Sequence, residues 1–243
     1  MTTQKTGLVV SAHSADFVWR AGGAIALHQK QGVQMHIVCL SYGERGESAK
    51  LWRQPTMTEE RVKQIREREA RAAADILGAT IEFLDLGDYP LQADKEILFE
   101  LADIYRRLQP GFVLSHSLHD PYNYDHPRAA HLAQEARIIA QAEGHNPGEK
   151  VIAAPPFYCF EPHQPEQCNW KPDVLLDITS VWDQKYQAIQ CMQGQEHLWE
   201  YYTRVALQRG VQAKRNIGIT AAKNIIYGEA YQSIFPRVTE NLE

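Results

Sequence analysis

Little in this sequence points to a stapled, membrane-spanning or nucleic-acid-binding protein. The four cysteines, Cys39, Cys159, Cys168 and Cys191, form no C-x-x-C pair, which argues against a disulfide scaffold or a zinc ribbon. No apolar run is long enough to span a bilayer. No charged stretch followed by a long apolar run and a cleavage site opens the chain, so a cytoplasmic protein without a membrane partner is expected. No basic block stands out, and 30 acidic residues against 25 basic ones leave a net charge of −5. A nucleic-acid partner therefore has no electrostatic support. Internal repeats and low-complexity segments are also missing. What is present is 243 residues with an ordinary hydrophobic fraction of 44%, enough for one large α/β domain or two small ones.

The stretch Val9-Val10-Ser11-Ala12-His13-Ser14-Ala15-Asp16 organises the chain. An apolar run ends in a polar cluster, and a helix-like stretch with Gly22 and Gly23 follows. This reads as strand, turn and helix, with a ligand-rich turn where open α/β sheets place their sites. His13 and Asp16 can point at one centre from such a turn. An imidazole nitrogen and a carboxylate oxygen suit zinc and several other divalent metals. Two ligands alone also fit a simpler reading, in which His13 caps the helix and Asp16 is solvated.

Downstream, the spacing predicts a helix over Trp19–Gln31, a strand over Gln34–Leu40 and a polar, glycine-rich loop from Ser41 to about Thr58. Thr58 followed by Glu59 and Glu60 starts a helix to Leu77, stopped by Gly78. A strand over Ile81–Leu86, a helix over Glu96–Leu108 and a strand over Phe112–Ser115 come next. The alternation predicts a largely parallel sheet covered on both faces. After Gly144, prolines break the chain into shorter pieces: strands at Phe157–Phe160 and Val174–Asp177, helices from Ser180 to Met192 and Glu196 to Gln208, and a short helix near Tyr227–Phe235. No boundary is evident, so a single domain over 1–243 is expected.

The strand at Phe112–Ser115 runs into a second polar cluster, His116 to Pro127, with Pro127 suited to the first turn of a helix reaching about Glu143. In a parallel sheet the carboxyl ends of the strands share one edge. The His13 turn, the Glu47 loop and the His126 loop can then converge, making His126 a third candidate ligand with Asp125 as its orienting neighbour. His131 reads as a surface or packing residue. His116 and His119 fit either a supporting role or plain loop.

Together, the strand–Ala12-His13-x-x-Asp16 turn, the Gly43-Glu44-x-Gly46-Glu47 loop, the Arg66-Glu67-x-Glu69-Ala70 to Leu77-Gly78 spacing and the Asp125-His126 loop resemble the LmbE-like, or PIG-L, deacetylase family. The resemblance implies a Rossmann-like three-layer sandwich and a mononuclear zinc site with His13, Asp16 and His126 as ligands. Another divalent ion is the alternative, with a two-histidine, one-carboxylate iron site as runner-up. One departure matters. The family turn usually reads Ala-His-Pro-Asp-Asp, and its first aspartate is the deacetylase base. Ala15 stands there, and attack by activated water needs a proton acceptor.

The Ser11–Arg20 segment, the Gly43–Trp52 loop, Glu161-Pro162-His163-Gln164-Pro165 and Gln195-Glu196-His197-Leu198-Trp199 resemble a hydratase branch of the family. That branch adds water to a small unsaturated tricarboxylate in the catabolism of aromatic compounds. It implies two proton-handling residues, for which Glu47 and His163, outside the metal shell, are the candidates. Ordinary loop polarity is the bland alternative for both. An anionic tricarboxylate substrate needs cations; Arg45, Lys50, Arg53, Arg128 and Arg204 are available, and Arg45 and Arg204 are the candidates. A homo-oligomer is the other expected partner state. The rivals are a zinc amidohydrolase of N-acetyl sugars with another base, and a non-catalytic carboxylate-binding module.

Overall fold

Apolar strands alternate with amphipathic helices through the first 160 residues, and this places five parallel strands side by side. The computed structural model describes residues 5–218, 223–236 and 238. The strands are β1 (Thr6–Ser11), β2 (Gln34–Cys39), β3 (Thr80–Phe83), β4 (Phe112–Ser115), β5 (Phe157–Phe160), β6 (Val174–Asp177) and β7 (Gly228–Ser233). They form one sheet in the order β3-β2-β1-β4-β5-β7-β6. Strands β1 to β5 pair in parallel, while β7 runs antiparallel to both β5 and β6. The helices are α1 (Asp16–Lys30), α2 (Ala49–Trp52), α3 (Glu59–Leu77), α4 (Lys95–Leu108), α5 (Asp125–Ala140), α6 (Trp182–Cys191) and α7 (Trp199–Asn216).

Both faces of the sheet are covered, which is why its central strands carry apolar residues without alternation. On one face α1, α3, α6 and α7 bury Phe17, Leu77, Ile189 and Tyr202. On the other, α4 and α5 bury Leu101, Tyr105, Ala129 and Ala136. This is the expected three-layer α/β sandwich. Helix α3 begins where its cap chemistry says it should: the Thr58 hydroxyl accepts from the Arg61 amide, and Gly78 ends the helix at φ 78°.

Two element assignments need correction. Helix α1 begins at Asp16, not Trp19, so a candidate ligand sits in its first turn. The helix expected over Tyr227–Phe235 is strand β7. Glu229 and Tyr231 face the α1 layer and Ala230 the opposite one, a period of two that six residues next to a sheet edge satisfy better than one short helix. Its close approach to α7 also demands small residues. A Cβ at Gly210 would lie 2.0 Å from the Ile226 carbonyl oxygen, and one at Gly228 would lie 2.8 Å from the Arg209 backbone.

Candidate metal centre

The strand order sets the location. From β1 the chain winds outward to β2 and β3, then returns to place β4 and β5 on the other side of β1. The crevice beside β1 and β4 at their carboxyl ends is therefore the topological switch point, where open α/β sheets hold ligands. Three loops meet there. The turn after β1 is tied to the loop after β2 by Ser41, whose amide and hydroxyl both donate to the Ala12 carbonyl at 3.0 and 2.9 Å. The turn after β1 is tied to the loop after β4 by the Ala12 amide, which donates to His116 Nε2 at 2.9 Å.

His13, Asp16, Glu47 and His126 converge, with one ligand atom from each lying within 4.8 Å of the others. His13 Nδ1 is 3.1 Å from Asp16 Oδ2 and 3.2 Å from Glu47 Oε1. His126 Nε2 is 3.5 Å from Asp16 Oδ1 and 3.8 Å from Glu47 Oε1. The far side of each imidazole faces a carboxylate. His13 Nε2 is 3.4 Å from Asp125 Oδ2, and His126 Nδ1 is 2.8 Å from Asp120 Oδ2. Asp125 is itself held by the Tyr89 and Leu91 amides, each at 2.8 Å.

A carboxylate accepts only, so an N–H turned outward to Asp125 or Asp120 leaves the inward nitrogen of each ring either bare or charged. Bare, it meets carboxylate oxygens, which are also lone pairs. His126 Nε2, fully buried, has no hydrogen-bond partner. Four inward-facing acceptors around one point repel unless a cation lies between them. Two imidazoles and carboxylates are a donor set for a borderline divalent ion such as zinc, so the residues fit a metal.

The electrostatics say the same. Burial disfavours a charged His13, yet Glu47 and hydrogen bonds with Asp125, Asp16 and Glu47 outweigh it and raise its pKa well above the ordinary histidine value. For Asp16, burial is likewise outweighed, by His126 and His116, and its pKa falls well below the usual carboxylate range. Glu47 is lowered too, with burial opposing and His13 favouring the charged form. The pocket thus stabilises positive charge at its centre. His116 stacks on His126 with ring centroids 4.3 Å apart, and burial followed by the charge of His126 keeps its pKa well below normal. Arg20, buried in α1, lies 3.4 Å from Asp16 Oδ1 and donates to the Glu161 carbonyl at 2.7 Å.

The sequence-predicted residues fall into three groups. His13, Asp16 and His126 come together. Glu47, expected outside the metal shell, lies inside the cluster, because the loop after β2 folds back over the turn after β1. His163 sits on the loop after β5, its ring stacked on Tyr201 at 4.1 Å with Nδ1 3.5 Å from the Tyr202 hydroxyl. Burial first, then Arg20, lowers its pKa. Arg45 and Arg204 are not brought to the centre. Arg45 pairs with Glu59, and Arg204 pairs with Glu200 one helical turn away, both largely exposed. The orienting roles also differ from expectation: Asp125 faces His13, and Asp120, to which the sequence reading gave no role, faces His126. The signal for Asp120 was its place in the His116–Pro127 cluster. Ala15 lies buried in the apolar layer and offers no acceptor.

A cavity of about 740 Å³ opens beside Glu47 between α2 and the 3-10 turn Gln193–Leu198, with Lys50, Arg53, Tyr89 and Gln195 on its walls. Lys50 bridges the walls, donating to the Gln193 carbonyl at 3.1 Å and to Glu196 at 2.7 Å. Arg53 makes no ion pair among the described residues. Glu47 is the member of the ligand cluster that lines this cavity, with 13% of its side chain exposed against 5% or less for the other three.

Comparison with known proteins agrees with this geometry. The chain is 76% identical over 241 residues to a 4-oxalmesaconate hydratase of Pseudomonas putida, covering 99% of this chain and 93% of the relative. The crystal structure of the Pseudomonas putida 4-carboxy-2-hydroxymuconate hydratase GalB superposes with a TM-score of 0.97 at 76% identity, covering 98% of this chain and 100% of that one. A more distant structure is the N,N'-diacetylchitobiose deacetylase from Pyrococcus horikoshii, with a TM-score of 0.77 at 25% identity over 95% of this chain and 84% of that one. Residues 8–137, which carry His13, Asp16, Glu47 and His126, match the family described as PIG-L, GlcNAc-PI de-N-acetylase. The chain belongs to the PIG-L family.

Proposed function

We propose that this chain is a metal-dependent hydro-lyase that adds water to 4-oxalomesaconate, also called 4-carboxy-2-hydroxymuconate, giving 4-carboxy-4-hydroxy-2-oxoadipate. The observation that carries this reading is the 76% identity to the Pseudomonas putida hydratase along 99% of the chain. Two features of the site support it. The candidate ligands His13, Asp16 and His126 come together, while Ala15 occupies the place of the deacetylase base. The cavity beside the cluster has cations on its wall, as an anionic substrate requires.

His13 Nδ1, Asp16 and His126 Nε2 would hold the metal, with Asp125 and Asp120 fixing the two rings. A divalent ion there, zinc by first choice at one per chain, would act as a Lewis acid toward the substrate's carboxylate and keto oxygens. Glu47 reaches the same point from the cavity side, and its lowered pKa keeps it ionised and ready to take a proton from water. His163, which burial and Arg20 shift toward the neutral form, would deliver the proton once it has taken one up from solvent. Hydration forms a carbon–oxygen bond at one end of the double bond and a carbon–hydrogen bond at the other. Two groups handling protons on different loops suit that demand. Arg53, which makes no ion pair among the described residues, replaces Arg45 and Arg204 for the substrate's carboxylates, with Lys50 beside it paired to Glu196. The reading extends to a single catalytic domain over 1–243 acting in the cytoplasm as a homo-oligomer, which fractionation and light scattering can check. No described helix is long and apolar enough to cross a membrane.

The test is a paired assay of the metal-loaded protein. Consumption of the unsaturated tricarboxylate without acetate release from an N-acetylglucosamine derivative is the expected result. Rapid acetate release without hydration would overturn the reading.

A further inference from the structure

The segment Gln193–Leu198 forms one cavity wall and is held in place by α3. The Gly194 amide donates to Glu69 Oε1 at 2.9 Å, and Arg66 Nη1 donates to Glu69 Oε2 at 2.6 Å. The other arm of the Arg66 guanidinium donates to Gln195 Oε1 at 2.6 Å. The fit is close, since a Cβ at Gly194 would lie 3.0 Å from Arg66 Nη1. Arg66 is fully buried and Gln195 is 6% exposed.

A guanidinium only donates, so it fixes which way the Gln195 amide points. The carbonyl must face Arg66, and the NH2 must face the other way. What lies there is Glu47, with Gln195 Nε2 3.5 Å from Oε2. Glu47 Oε1 is the oxygen directed at His13 and His126. The two oxygens of Glu47 therefore have separate surroundings: the ligand cluster and the Asn123 amide, with Nδ2 3.5 Å away, for one, and an amide that cannot flip for the other.

We infer that Gln195 is a positioning residue for Glu47: Arg66 locks its amide, and its NH2 holds Oε2 so that Oε1 stays aimed into the ligand cluster. This rests on the reading that Glu47 takes a proton during hydration. The amide adds no charge beside the cluster, whereas a cation at the same place would pair with Glu47 and draw it out of the cluster. A water-exposed carboxylate would swing among rotamers, and holding a reacting group in one geometry is a large part of its effectiveness.

The test uses the metal-loaded enzyme and four variants: Gln195→Met, Gln195→Glu, Glu47→Gln and Gln195→Met with Glu47→Gln. Metal content is measured by elemental analysis alongside kcat and KM. Gln195→Met is expected to lower kcat about tenfold or more, as loss of a hydrogen bond to a charged group does, with metal content unchanged and KM within about threefold. Gln195→Glu keeps the shape and the acceptor for Arg66 but removes the donor, so it is expected to be as slow. A purely structural role would be rescued by it. The double variant is expected to be no slower than Glu47→Gln alone, because the two act through one group. Wild-type kcat in Gln195→Glu, or additive losses in the double variant, overturns the inference and leaves the Glu47 role standing. Normal turnover in Glu47→Gln overturns both.

Discussion

Helix α1 lies between two clusters of buried charge, and they differ in one respect. On its inner end is the ligand cluster. Along its flank, Lys185 Nζ donates to Glu229 Oε1 at 2.7 Å and to the Trp19 carbonyl at 3.0 Å. Glu229 also accepts from the Gly23 and Ala24 amides at 2.6 and 2.8 Å and from the Tyr231 hydroxyl at 2.6 Å. Every charge in this second cluster is met. A Cβ on Gly23 would lie 2.8 Å from Glu229 Oε1, so the helix glycine is what lets the carboxylate reach the backbone. The ligand cluster is equally buried but carries a surplus of inward acceptors and an unpartnered His126 Nε2. Burial of ionisable groups therefore does not separate site from scaffold here. Uncommitted lone pairs do, because a closed ion pair has nothing left to offer a ligand.

The comparison makes demands in order of size. The largest falls on the metal. Purified His126→Ala and His13→Ala proteins are expected to lose the one ion per chain almost entirely on elemental analysis, while Lys185→Met keeps it. Full occupancy in both histidine variants would remove the distinction between the clusters. Next is turnover. Glu47→Gln and His163→Ala are each expected to lose about 10²–10⁴-fold in kcat, with the metal retained in His163→Ala because that ring lies outside the ligand set. Near-normal rates in both would leave no proton-handling pair.

Stability is where the second cluster shows its weight. Removing one partner of a buried ion pair costs about 3–5 kcal/mol, since the other charge is stranded. Lys185→Met is expected to lower the midpoint of chemical denaturation accordingly, and Lys185→Met with Glu229→Leu to recover much of the loss. A silent Lys185→Met would mean the pair is not closed in solution. The smallest effects concern cations. Arg53→Met is expected to raise KM roughly tenfold with kcat little changed, as loss of uniform binding does. Arg204→Ala, at a surface pair worth about 0–1 kcal/mol, is expected to change KM by less than about twofold. The reverse pattern would return the carboxylate-binding role to Arg204.

The parallel half of the fold was legible because its signals are local. Thr58 and Gly78 bracket α3, and the apolar runs at β1, β2 and β4 end in polar clusters at one edge. The turn after β1 and the His126 loop could be matched on that basis alone. Tyr227–Phe235 was misread because two-residue alternation in a stretch of mixed polarity is visible only once Glu229 is seen to point at Gly23. Asp125 faces His13 rather than His126, and Asp120 faces His126, because which aspartate faces which histidine depends on how two loops pack, not on spacing. Arg45 and Arg204 were chosen for type, and their own glutamates hold them away.

By itself the chain's order of residues determined the alternating architecture, the shared edge of the strand ends and the kinds of ligand placed there. It also determined that Ala15 cannot act as a base. Only the tertiary structure decided that Glu47 joins the ligand cluster, that Lys50 and Arg53 reach the cavity, and that Arg66 turns the Gln195 amide toward Glu47. The reason is physical. Helices and strands follow from spacing along a few residues, whereas a site is made of contacts such as that between Arg66 and Gln195, 129 positions apart, which exist only after the layers have packed.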